Sequence, residues 1–195
     1  MMYDENKREI TLDRELGKLD RFVIDFCKLP KEYVIVSGYV SILFGRSRAT
    51  EDVDLLFPKM GFHEFEDLWK RVYGAGFECI NTSIVSEAFD MLNEHAIRFY
   101  KEIPVPNIEF KMIKNNLDEY SFRNRIKVKI GKEALYVSPL EMQIAYKLFL
   151  SQGKNEKDLE DAKHLYNLFK EKLNKDELLD FVNKLDVKKE FEKII

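Results

Sequence analysis

Between residues 12 and 29 the apolar residues Leu12, Leu16, Leu19, Phe22, Val23 and Phe26 recur at helical spacing, which predicts an amphipathic helix ended by Pro30. The period then changes. Tyr33-Val34-Ile35-Val36 is a short β-branched strand, Ser37-Gly38 breaks it, and residues 39–44 return to helical spacing, giving strand, tight turn and helix in that order. A polar loop, Gly45-Arg46-Ser47-Arg48-Ala49-Thr50, leads into Asp52-Val53-Asp54-Leu55-Leu56-Phe57, a second strand that Pro58 ends. Residues 62–73 form a helix terminated by Gly74 and Gly76. Further strands are predicted over 77–80, 96–101, 108–113, 125–130 and 134–137, the last two as a hairpin across Gly131-Lys132. From Pro139 onward almost all spacing is helical, with breaks near Gly153 and Asn174, which predicts three or four helices. The expectation is an α+β chain, with residues 1–137 as a core and residues 138–195 as a helical region packed on it.

Composition narrows the class. Hydrophobic residues are 45% of the 195 and aromatics 13%, enough apolar surface to offset the entropy of ordering the chain. The 32 basic and 35 acidic residues give a net charge of −3, too balanced for a surface that binds nucleic acid everywhere, so a polyanion has to meet a local basic patch. Cys27 and Cys79 stand far apart with no CxxC motif. Neither a disulfide framework nor a zinc site is indicated, and both read as buried thiols. No signal core and no run of membrane-spanning length appears in the sequence, so a cytoplasmic protein without membrane association is expected.

The chemistry-bearing positions sit on two strands. Asp52 and Asp54 are two apart, so they share one strand face while Val53 and Leu55 share the other. Asn107-Ile108-Glu109-Phe110-Lys111-Met112 repeats the pattern, with Ile108, Phe110 and Met112 on one face and Glu109 and Lys111 opposite. If the two strands are neighbours, three carboxylates converge, and their mutual repulsion is relieved mainly by a divalent cation. Magnesium takes oxygen ligands from one or two carboxylates plus substrate phosphates, and a pair of such ions serves nucleotidyl transfer. Upstream, Gly38 ends a strand and opens a helix, where free backbone N–H groups suit a phosphate.

Ser37-Gly38-Tyr39-Val40-Ser41 followed by Arg48-Ala49-Thr50-Glu51-Asp52-Val53-Asp54 resembles the signature of the nucleotidyltransferase superfamily, a Gly-Gly or Gly-Ser turn and then Arg-x-Ser/Thr-x-Asp-x-Asp. Val137-Ser138-Pro139-Leu140-Glu141, Ala145-Tyr146-Lys147-Leu148 and Lys157-Asp158-x-x-Asp161 are similar to the helical tail of its AbiEii-like branch, whose members include abortive-infection toxins. The resemblance implies a nucleotidyltransferase fold with a mixed sheet flanked by helices and a C-terminal helical bundle. It also implies two ions and a nucleoside triphosphate such as ATP, with Asp52, Asp54 and Glu109 as catalytic, metal-holding acids. Ser37, Gly38, Arg48, Lys147 and Lys157 would contact the nucleotide. The branch further implies RNA as an acceptor and an antitoxin protein as a partner. The glycine turn departs from the pattern, since Ser37-Gly38 stands where Gly-Gly or Gly-Ser is usual.

Plainer readings stand beside these. Glu109 and Lys111 are also what a solvated strand face carries, and Glu102 is the next acid if Glu109 is not the third. Arg46 and Arg48 are either phosphate contacts or loop residues paired with Glu51. Lys147 fits a stem lying along the core as well as a triphosphate contact, and Lys157, Asp158 and Asp161 fit ordinary helix pairing. His63, His95 and His164 are scattered. Lys127, Lys129, Lys132, Lys147, Lys154 and Lys157 are candidates for a basic groove that takes RNA. Two function classes follow: an enzyme that transfers a nucleoside monophosphate to an RNA end, a protein hydroxyl or a small molecule, and an inactive module of the same fold that binds a nucleotide or partner without turnover.

Overall fold

The structure, a computed structural model, describes residues 1–153 and 156–195. It opens with two short strands, β1 (Met2–Asp4) and β2 (Glu9–Leu12), before α1 (Lys18–Cys27). The helix predicted from residue 12 therefore starts six residues later. Ile10 and Leu12 alternate with half-buried residues and belong to the strand. Helical spacing across Leu12 was coincidental with period-two burial, which a short strand cannot distinguish by itself. Asp20 Oδ2 accepts from the Gly17 N–H at 2.8 Å and from Arg14 Nη1 at 2.6 Å, fixing the first turn of α1.

Next come β3 (Val34–Val36), α2 (Gly38–Leu43), β4 (Asp52–Phe57), α3 (Phe62–Gly74), β5 (Glu78–Cys79), α4 (Val85–Glu94), β6 (Ala96–Lys101) and β7 (Ile103–Met112). After them lie α5 (Asn116–Arg123), β8 (Ile126–Ile130), β9 (Glu133–Val137), α6 (Leu140–Ser151), α7 (Glu156–Phe169), α8 (Lys175–Lys184) and α9 (Lys188–Phe191). Helices α4 and α5 lie where the sequence pattern predicts no element. Val85, Ala88, Phe89 and Leu92 carry the spacing of α4, and the Asn115 side chain caps α5 by accepting from the N–H groups of Leu117 and Asp118 at 2.9 Å.

The strands form one mixed sheet in the order β1-β2-β8-β9-β3-β4-β7-β6-β5. The central pair, β4 and β7, is parallel, and its outer partners β3 and β6 run antiparallel to it. On one face Val53, Leu55, Phe57, Ile108 and Phe110 are buried in the main core with α1 and α3. Phe110 lies on Phe57 with ring centroids 3.7 Å apart, and Phe26, Phe65 and Phe99 meet it edge-on. On the other face Leu56, Val34 and Ile113 make a small second cluster against Val36 and Phe122. The acidic residues of β4 and β7 share that second face. Leu140, Ile144, Leu165 and Phe181 of the C-terminal helices, and Val187 just ahead of α9, belong to the main core. No helix among the described residues is long and apolar enough to cross a membrane. Cys27 is buried and Cys79 half-buried, and both are free thiols.

Phe110→Ala should lower stability by about 3–5 kcal/mol, the cost of an aromatic side chain deleted from a closed core. Urea unfolding checks it, and a loss below about 1 kcal/mol would show that the stacked ring is not central to packing.

Candidate functional site

Parallel pairing of β4 with β7 sets Asp52 beside Asn107 and Asp54 beside Glu109. Side chains at paired positions of one sheet face are immediate neighbours, so the two carboxyl groups of Asp54 and Glu109 meet. They are not alone. Lys111, two residues on from Glu109 along the same face, places its Nζ 2.7 Å from Asp54 Oδ1 and 2.5 Å from Glu109 Oε2. Arg98, opposite Glu109 on β6, donates through Nη2 to Glu109 Oε1 at 2.5 Å. One lysine thus bridges both acids, and each oxygen of Glu109 has its own cation.

This crowding moves the titrations of the two acids apart. Burial opposes ionisation of Asp54, but a hydrogen bond shared with Glu109 and the Lys111 ammonium outweigh it, so its carboxyl is held below the usual range. Lys147 adds to the same effect from α6. Glu109 moves upward, first through burial and then through the Asp54 carboxylate beside it, with Lys111 offsetting part of the rise. Burial also works against the charge of Lys111, but Asp54 and then Glu109 reverse this and hold it charged.

For a metal ion the donor set is partial. Among the described residues no group of three His, Cys, Asp or Glu side chains is placed to hold one. Asp52 and Asp54 offer hard carboxylate oxygens from one strand face, which suits an ion completed by phosphate oxygens and water. Glu109 shares that face, but Arg98 and Lys111 already neutralise it. The residues therefore fit a two-carboxylate site and not a closed three-carboxylate cage.

The turn between β3 and α2 is held from outside. Ser37 has φ of 62°, a left-handed conformation that costs a non-glycine residue about 1 kcal/mol or more and persists only when neighbours enforce it. Gln143 of α6, 1% exposed, does this. Its Oε1 accepts from the Ser37 N–H at 3.1 Å and from Ser138 Oγ at 2.8 Å, while its Nε2 donates to the Ser37 carbonyl at 2.7 Å. Nothing in the sequence singled out Gln143, because its partners lie on distant segments. Gly38 is needed for a different approach. A Cβ there would come within 2.3 Å of Arg48 Nη2, so the guanidinium lies directly against the turn.

Arg48 is committed to Asp161 of α7 by Nε to Oδ1 at 3.0 Å and Nη2 to Oδ2 at 2.9 Å, with Nη1 on the Ala49 carbonyl. Such a fork is the strong bidentate form of this pair. Arg46 Nη1 reaches the same carboxylate at 3.1 Å. Lys147, 2% exposed, donates to Asp158 and lies 3.1 Å from Asp161. The arginine loop and the charged tail motif thus form one buried network. Lys157 is exposed at the start of α7.

Beside Asp54 and Lys111 a cavity of about 540 Å³ opens between the sheet, α5 and α6. Ser37, Asp54 and Lys111 mark one charged end, Leu117, Met142 and Tyr146 add apolar surface, and Glu94, His95, Lys114 and Asp118 add further polar groups. Of the residues singled out in the sequence, Gly38, Arg48, Asp52, Glu109, Lys147 and Lys157 do not line it. Among the described residues, three of the lysines named for a basic groove are engaged elsewhere, while Lys132 and Lys157 are exposed. Lys129 lies 2.7 Å from Glu9, Lys127 sits beside the same carboxylate, Lys147 is buried, and Lys154 lies outside the described residues.

Gly38→Ala should destabilise the protein by about 1–3 kcal/mol, because the new methyl displaces a guanidinium held in a buried ion network. In an Arg48→Ala background the same change should cost less than half as much. Denaturant midpoints of the four proteins check this, and equal costs in both backgrounds would contradict the contact.

Comparison of the sequence with protein-family models and with characterised proteins finds no match. Among solved structures the chain is similar to an antigenic nucleotidyltransferase-like protein from Paracoccidioides brasiliensis. The TM-score is 0.54 at 15% identity, covering 92% of this chain and 93% of that one. At that identity the likeness is one of fold, and it runs nearly end to end: this chain has a nucleotidyltransferase-like fold, a mixed sheet flanked by helices with a helical C-terminal region.

Proposed function

We propose that the chain transfers a nucleoside monophosphate from a nucleoside triphosphate to an acceptor hydroxyl. The observation that carries this is the meeting of Ser37, Asp54 and Lys111 at one end of a cavity that also has Leu117, Met142 and Tyr146 on its walls, with Glu94, His95, Lys114 and Asp118 as further polar groups. A nucleotide brings phosphates that suit the charged end and a flat base that suits the Tyr146 and Met142 side chains. Asp52 and Asp54 are the residues that would hold magnesium, which supplies charge neutralisation to the triphosphate and to the leaving pyrophosphate. Asp54, kept ionised by its neighbours, supplies the standing negative charge. The acceptor oxygen attacks the α-phosphorus, the bond from that phosphorus to the oxygen bridging to the β-phosphate breaks, and pyrophosphate departs. Glu109, paired with Asp54 across the two strands, is the acid that would receive the hydroxyl proton.

Tyr146 and Met142 offer the base an apolar wall. Ser37 borders the phosphate end, and Gly38 and Arg48 fix that turn through the Asp161 network. Lys147 acts on the site through its field at Asp54, and Lys157 is free to meet a bound acceptor from the surface. We favour an RNA end as acceptor and an antitoxin as partner, on the resemblance of the tail to toxins of the AbiEii-like branch. The second reading, a module that binds nucleotide without turnover, has one observation in its favour. Gln143 already takes the Ser37 N–H that a phosphate would use.

Magnesium with ATP should raise the melting temperature. Ligand at about a hundred times its dissociation constant adds roughly 2.7 kcal/mol. Asp52→Asn combined with Asp54→Asn should abolish the shift, and equal shifts in both proteins would remove the aspartates from the site.

Incubation with each α-labelled triphosphate, magnesium and either total RNA or total protein should label RNA. Glu109→Gln should reduce labelling at least tenfold while leaving the nucleotide-induced melting shift in place. Raised ionic strength should suppress the labelling more steeply than nucleotide binding. Label in protein would refute the RNA acceptor. Nucleotide binding with neither label nor pyrophosphate would favour the binding module.

A further inference from the structure

The placement of Lys111 extends the proposed function and rests on it. A two-ion site needs a second divalent cation where the substrate's phosphates and the third acid meet. In this chain that third acid is Glu109, and both of its oxygens are already in contact with cations, Arg98 on one and Lys111 on the other. Lys111 also spans to Asp54. Its ammonium therefore lies between two carboxylates, the location a bridging ion would take. The lysine stem rises from the strand that carries Glu109, and Glu109 is only 9% exposed, so the bridge is built into the sheet and is not a chance contact of surface side chains.

Charge leads to the same conclusion. Asp52, Asp54 and Glu109 contribute three negative charges, Lys111 and Arg98 two positive ones, leaving a single net negative charge. A first divalent ion comes in with the triphosphate, whose own negative charge it serves. A second would have to displace an ammonium from two carboxylates or sit beside it, and like charges at contact distance in a partly buried site repel by several kcal/mol.

We propose that Lys111 replaces the second ion, so that this protein takes one divalent cation per bound nucleotide, held by Asp52 and Asp54. Lys111 is then a positioning residue for Asp54 and Glu109 and a fixed cation at the charged end of the cavity, where it lines the wall. An ammonium differs from a metal ion in one respect that bears on function. It neutralises and donates hydrogen bonds, but it does not acidify a bound hydroxyl as a Lewis acid does.

The test counts ions. The protein is saturated with the α,β-methylene analogue of ATP and with Mn²⁺, and bound Mn²⁺ per bound nucleotide is measured by electron paramagnetic resonance after dialysis. Wild type should hold one, and Lys111→Met should hold two, because the vacated position between Asp54 and Glu109 becomes available. Lys111→Arg should hold one. Circular dichroism and melting of each variant establish that it is folded. Two ions per nucleotide in wild type would overturn the inference while leaving the proposed function intact. One ion in folded, nucleotide-bound Lys111→Met would also overturn it. Failure of wild type to bind the analogue would overturn both readings. The wild-type count stands even if a variant does not fold.

Discussion

The parallel register of β4 against β7 sets the terms for everything around it. It places the carboxyls of Asp54 and Glu109 side by side on strands spaced about 5 Å apart. At an effective dielectric near 20, two ionised carboxylates at that distance repel by about 3 kcal/mol. The pairing is nevertheless fixed, because Val53, Leu55 and Phe57 have to meet Ile108, Phe110 and Met112 on the opposite face. A slip of one residue would put the acids into the core and the aromatics into solvent. The apolar face thus imposes a polar strain on the other face, and cations relieve it. Lys111 arrives from the same strand, Arg98 from the next one, and Lys147 acts from α6.

A second charged network answers the first. Asp161, fully buried, gathers Arg46, Arg48 and Lys147. It joins the loop ahead of β4, the turn ahead of α2 and the C-terminal helices into one unit. Its own elements could not hold the Ser37 turn in a left-handed conformation without the Gln143 clamp and the guanidinium lying on Gly38. Charged residues buried this deeply are costly unless every partner is present. The cavity wall that carries Ser37, Asp54 and Lys111 is correspondingly pre-set, which is what positioning of a reactive phosphate requires.

Much of this was legible in the residues because periodicity and burial agree in the centre of the sheet. The strand at 34–36 follows from its β-branched run, the strand at 52–57 and the pairing face of Ile108, Phe110 and Met112 from alternation, and the hairpin from the turn at Gly131. The ends were less legible. Residues 9–12 form a strand too short for its period to stand out, and β1 and β2 exist through pairing with each other and with β8. At the candidate site, alternation placed Glu109 and Lys111 on one face, but nothing local could show that Lys111 folds back onto Glu109 and across to Asp54. That contact depends on the register of two strands some fifty residues apart. Arg48 was open between phosphate and a protein acid, and its partner turned out to be Asp161 rather than Glu51. Sequence spacing cannot see a helix that returns more than a hundred residues later.

The most direct test of the central claim is a crystal structure of the protein with magnesium and the α,β-methylene analogue of ATP. The account predicts the triphosphate beside Asp52, Asp54 and Lys111 and the base against Tyr146 and Met142 in the cavity between the sheet, α5 and α6. An analogue bound elsewhere on the molecule, with Asp54 and Lys111 still closed on each other and untouched by phosphate, would contradict it.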